Sequence, residues 1–145
     1  MIQYVYNKGG EYMKITIISG QVDANICGFT ATFFKDNNIT EENTKIMFFP
    51  ENRIAHQEKL LNDMREVVSE CIADDKDMCV ITYSDHIFNA VRLEVKKHNL
   101  AGCTLQNVLN DGTFCTSIIE NDGHLNHWVD GVFDTWDNSL TEILT

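Results

Sequence analysis

The sequence predicts an α/β fold: a compact, mainly parallel sheet with flanking helices, an antiparallel hairpin and a C-terminal helix. Three observations carry this reading. Short β-branched apolar runs alternate with longer stretches of helical periodicity as far as residue 100. Two short strand-like runs then flank "NDGT" (110–113), a hairpin signal because Asn, Asp and Gly tolerate positive φ. Apolar residues at helical spacing close the chain.

Taken in order, "KITIIS" (14–19) reads as a strand buried on both faces. "ANICGFTATFFKDNN" is a helix candidate weakened by Gly28, Thr30 and Thr32. "TKIMFFP" (44–50) is a second buried strand, ended by Pro50, the chain's one proline. A helix is expected over about 53–73, where Ile54, Leu60, Leu61, Met64, Val67, Val68 and Cys71 or Ile72 form a stripe. "DMCVITYS" (77–84) is a third strand. The helix after it has Ser84 or Asp85 as N-cap. Its expected core face is Ile87, Phe88, Val91, Leu93 and Val95, and Lys96, Lys97 and His98 suit its C-terminal dipole. "CTLQNVL" and "FCTSIIE" form the hairpin, "NDG" at 121–123 marks another turn, and Val132 to Leu144 predict a docking helix. Residues 1–12 read as a leader or added edge strand, and 13–145 as a single domain.

The 145 residues suit one core, and 43% apolar with 23% charged content reads as soluble and globular. No apolar run approaches the ~20 residues a membrane span needs, and the N-terminus lacks a signal-peptide pattern. The five cysteines show no C-x-x-C spacing, so free thiols and a cytoplasmic setting are expected. Net charge is −11, and no Lys or Arg follows Lys97. That acidic last third repels nucleic-acid backbones and attracts basic partners. His124 and His127 beside Asp122 and Asp130 are a weak metal pattern, Trp128 and Trp136 read as core anchors, and no cofactor is expected.

"SGQVDANIC" (19–27) follows the first strand as a phosphate-binding loop would. Aligned from Gly20, the second glycine of such a loop falls on Asn25, its lysine on Ile26 and its hydroxyl residue on Cys27. Asp23 adds negative charge where phosphate would sit. Further on, "VITYSDHIFNAVRLEVKKHNL" (80–100) resembles a stretch of AAA/ABC-type P-loop ATPases of the defence-associated OLD- and SMC-like group. Thr82, Ser84, Asp85, His86, Asn89 and Arg92 match, while the family's switch histidine is Tyr83. The tail, with Gly123, Trp128, Gly131, Phe133, Asp134 and Leu140, is similar to a subgroup of these ATPases. "KIMFFPENRIAHQEKL" resembles their Walker B region through Pro50, Glu51, Gln57 and Leu60, but the paired acids fall on Phe48 and Phe49.

The resemblance therefore implies a truncated ATPase-like domain whose catalytic centres are replaced. Phosphoryl transfer depends almost wholly on positioning and charge stabilisation by such groups. The expected function is non-catalytic binding of another protein. It would mimic an ATPase head to inhibit or modulate a cellular ATPase, with a virus or mobile element acting on a defence ATPase as the implied setting. Asp85, His86, Asp130, Asp134, Trp136 and Asp137 are the partner-binding candidates. Pairing of two copies is left open. The alternatives are a small nucleotide-binding or hydrolytic enzyme with a non-standard P-loop, and an acidic nucleic-acid mimic.

Overall fold

A computed structural model of the chain describes residues 13–49, 57–133 and 143; for Phe49 and Gln57 it describes the backbone alone. The elements are β1 (Ile15–Gly20), α1 (Ile26–Asp36), β2 (Thr44–Phe49), α2 (Gln57–Asp74), β3 (Asp77–Thr82), α3 (Asp85–His98), β4 (Cys103–Val108) and β5 (Phe114–Ile119). They form an α/β fold with one five-stranded mixed sheet of order β2-β3-β1-β4-β5. β2, β3, β1 and β4 run parallel, and β5 returns antiparallel to β4. Both expected turns are present, with Gly112 and Gly123 at φ +87° and +89°.

The connections explain the layering. β1 to β2 runs one way along the sheet, whereas β2 to β3 and β3 to β4 run the other way. Right-handed crossovers then require α1 on one face and α2 with α3 on the opposite face. The cores agree. Met64 and Val68 of α2 and Phe88, Val91 and Val95 of α3 pack on Ile15, Ile17, Met78, Val80 and Leu105. Phe29, Phe33 and Phe34 of α1 pack on Ile18, Cys79, Ile81 and Val108.

Local sequence accounts for the helix ends. Ser84 caps α3, its Oγ accepting from the Ile87 amide, and Asn99 closes the helix in the left-handed region at φ 51°. α1 forms despite its glycine and threonines because its phenylalanines bury against the sheet, and packing outweighs weak propensity.

Three expectations about burial are corrected. Leu93 is 41% exposed and Leu61 42% exposed. Leu93 lies two residues from both Val91 and Val95, about 200° around the helix and so on the opposite face; Glu94 takes the buried place. Trp128 is also 43% exposed, so it is no interior anchor. It meets Phe88 edge-on at 5.9 Å, while Phe133 stacks on Phe88 at 4.3 Å. Arg92 lies 5.3 Å from both the Phe88 and Trp128 ring centres and donates from Nε to the Gly123 carbonyl. The expected start of α2 at 53–56 lies outside the described residues, as does the C-terminal helix beyond Phe133 except Ile143; its expected first residues, Val132 and Phe133, form a bend rather than a helix, with Phe133 at φ 58°. Among the described residues no helix is long and apolar enough to cross a membrane.

Candidate functional site

Open α/β sheets bind ligands outside the carboxyl ends of their strands, where neighbouring strands send their connections to opposite faces. Here that switch lies between β1, which exits to α1, and β3, which exits to α3. Three stretches singled out in the sequence end there: the loop after Gly20, Phe48-Phe49 at the end of β2, and Tyr83 after β3. β2 lies one strand beyond β3, so the three stretches span neighbouring strands about 5 Å apart.

The loop is a closed turn. The Ala24 amide donates to the Gln21 carbonyl at 3.0 Å, the Gln21 amide to the Val108 carbonyl at 2.9 Å, and the Ile26 amide to the Ala24 carbonyl at 3.1 Å. The Asp23 amide donates to Asn110 Oδ1 at 2.9 Å. Gln21 completes the clasp: its Oε1 accepts from the Asn110 amide and its Nε2 donates to the Asp130 carbonyl. Asn25 is the N-cap of α1, its Oδ1 accepting from the Gly28 amide at 3.0 Å. A phosphate cradle needs successive backbone N–H groups turned outward and unclaimed. In this loop the amides of Gln21, Asp23, Ala24, Ile26 and Gly28 are engaged by the protein's own acceptors.

The individual positions are equally specific. A Cβ on Gly20 would stand 2.6 Å from the Val108 carbonyl oxygen, so close approach of β4 explains this glycine. Ile26, at the aligned lysine's place, is 6% exposed and packs in the α1-side core. Cys27 is exposed. Tyr83 is 38% exposed, and its phenol is raised above its ordinary value by burial first and by nearby Cys27 second. Phe48 is 55% exposed, and Phe49 ends β2 in register with Thr82.

Val22, which the sequence reading did not single out, is 86% exposed at the tip of the turn. A β-branched residue within a turn was the available signal, since Gly, Asn, Asp, Pro and Ser dominate such places. Val22, Phe48 and Tyr83 thus give the carboxyl edge an apolar character. Around them Asp23 and Asp130 are exposed and Asp85 is half-buried. Asp85 and His86 occupy the first turn of α3. Asp134, Trp136 and Asp137, and Pro50 and Glu51, lie outside the described residues.

The histidine pair does not converge with a third ligand. His124 Nδ1 lies 3.1 Å from Asp122 Oδ1, whose carboxyl is held below its ordinary range chiefly by the His124 backbone N–H. Among the described residues no group of three or more His, Cys, Asp or Glu is arranged to hold a metal ion. Burial pushes the thiols of Cys71 and Cys103 up to about 11 and that of Cys79 to about 12. Comparison of the chain with protein families, with characterised proteins and with solved structures finds no match in any of the three.

Proposed function

We propose that this chain is a non-catalytic binding protein that presents the carboxyl edge of its sheet to another protein. The observation that carries the reading is the loop at 20–28: the amides of Gln21, Asp23, Ala24, Ile26 and Gly28 are engaged internally, Asn25 caps the helix N-terminus, and Ile26 faces the core. A triphosphate approaching this edge meets a turn bearing Asp23, without unclaimed donors from those amides. Instead the edge offers Val22, Phe48 and Tyr83, exposed apolar and aromatic side chains beside carboxylates. Apolar centres with polar surroundings are how protein interfaces are built, and aromatic residues are enriched in them. The resemblance to AAA/ABC-type ATPases makes a related ATPase head the first partner to test, with inhibition or modulation of its pairing as the effect.

The test has two arms. The tagged chain is mixed with a purified ATPase of the resembling group, and Phe48→Asp and Val22→Asp variants are compared with the parent. The reading expects binding by the parent, at least tenfold weaker binding by both variants, and unchanged melting temperature for all three. Equal binding by the variants would remove the carboxyl edge from the interface. In the second arm, millimolar ATP with Mg²⁺ is expected to leave the melting temperature unchanged, because only a ligand that binds the native state raises it. A dose-dependent rise abolished by Asn25→Ala would return the loop to nucleotide binding and defeat the reading.

A further inference from the structure

The α1 side of the sheet carries a second feature, which does not rest on the carboxyl-edge reading. α1 packs over β1 and β3, and the β4–β5 pair beside it stays open, with Phe114 53% exposed. Between α1 and this pair runs a cleft of about 940 Å³, a size at which small molecules are bound.

The surfaces of the cleft differ in chemistry. The α1 wall is aromatic: the Phe29 and Phe33 rings stack at 5.4 Å, and Phe114 of β5 meets Phe29 at 5.0 Å toward the carboxyl end. The floor is polar, formed by Thr16, Thr104, Gln106 and Thr116. Gln106 is 5% exposed and is fixed by two hydroxyls. Thr116 Oγ1 donates to its Oε1 at 2.8 Å, and its Nε2 donates to Thr104 Oγ1 at 3.3 Å. A glutamine carboxamide has two N–H donors and two lone pairs, so one of each is left for a ligand. At the amino end the lining carries opposite charges, Lys14 and Asp36. Both residues are exposed, and among the described residues neither forms an ion pair.

We infer that the cleft binds a free aromatic α-amino acid whose ring has a polar tip, of the tyrosine or tryptophan kind. The ring lies against Phe33, its tip reaches the Gln106 carboxamide, and its ammonium and carboxylate meet Asp36 and Lys14. The spacings agree. Asp36 stands three residues beyond Phe33 on α1, about 4.5 Å along the axis. Lys14 precedes Thr16 by two residues, about 6.6 Å of extended chain. In such an amino acid the ring centre lies about 5 Å from the ammonium nitrogen, by ordinary bond lengths. The charges select the ligand class. A phosphate at this end would face Asp36 and the negative end of the α1 dipole, whereas an ammonium is favoured by both.

The test titrates the ¹⁵N-labelled full chain with L-tryptophan to millimolar concentration and follows its amide resonances. The inference expects saturable shifts confined to residues 14–16, 29–37, 102–106 and 114–116. The dissociation constant should be about 1 mM or lower, as the binding energy per atom of small ligands allows. Tryptamine lacks the carboxylate and indole-3-propionate lacks the ammonium; each should bind about fivefold more weakly, the upper worth of an exposed ion pair. Asp36→Asn should weaken L-tryptophan and tryptamine but not indole-3-propionate. Lys14→Met should weaken L-tryptophan and indole-3-propionate but not tryptamine. Both side chains are exposed, so both variants should keep the parent's melting temperature. No saturable shift, shifts centred on other residues, equal affinity for the three ligands, or variants that leave every affinity unchanged would overturn the inference.

Discussion

Substituting Gly20 by alanine separates two explanations of the same residue. As a remnant phosphate-loop glycine it should tolerate a methyl group with little loss of stability. The structure says otherwise. The added Cβ meets the Val108 carbonyl oxygen at 2.6 Å, and the Cβ atoms of Ala24 and Val108 at 3.1 Å each. Relief needs β4 to retreat by roughly 0.6–0.8 Å, since overpacked strands yield only by shifting backbone. The same carbonyl accepts the Gln21 amide at 2.9 Å, and that retreat takes the bond beyond hydrogen-bonding distance. Overpacking costs about 1–3 kcal/mol and the lost bond about 1 kcal/mol. Gly20→Ala should therefore lose about 2–4 kcal/mol, a fall of roughly 5–15 °C in melting temperature for a chain of this size. Urea unfolding followed by far-ultraviolet circular dichroism reads the difference from the midpoint at constant slope. A loss below about 0.5 kcal/mol, the range of ordinary surface substitutions, would refute the steric reasoning and with it the account of why the loop is clasped to β4.

Thiol chemistry gives a second check. Iodoacetamide at pH 8 should modify native Cys27 fastest and Cys115 slowly, sparing Cys71, Cys79 and Cys103, as intact-mass analysis would show; rapid labelling of the buried three would contradict their raised values. Because those three thiols hold their protons above the unfolded value of 9.0, their linkage leaves stability intact below pH 9. Above pH 9 the unfolded chain releases protons that the native state keeps, so each buried thiol removes more than about 1 kcal/mol per pH unit as pH rises toward 11. Asn107 is fully buried and donates to Ser117 Oγ at 2.9 Å and the Cys115 carbonyl at 3.1 Å. Asn107→Ala should cost about 1–3 kcal/mol in urea unfolding through the groups it leaves unpaired. Glu94 is 1% exposed, with Oε1 unpartnered and Oε2 3.6 Å from half-exposed Lys97. Glu94→Met should stabilise by about 1–4 kcal/mol, as replacing buried ionic groups by apolar ones often does; a lower melting temperature would disprove it.

Most of the described elements can be read from local residue patterns. β1, β2 and β3 were legible because β-branched and apolar runs suit strands buried on both faces, and the β4–β5 hairpin because Asn-Asp-Gly favours a turn wherever it stands. The cap of α3 was legible as Ser84 or Asp85, and the structure gives it to Ser84, whose hydroxyl accepts from an amide three residues away. Such signals are local, so they survive without the fold. The exposure of Leu93 was local too, and counting by helical turns alone would have placed it outside. The rest depends on contacts between residues distant along the chain. That β3 lies between β1 and β2 depends on which edges pair across long stretches of chain. That the 21–24 turn is clasped depends on Asn110 and Asp130, far away in sequence. Ser-Gly after a strand reads the same whether its amides face a ligand or a neighbouring hairpin, because the acceptors that claim them arrive only when the sheet assembles.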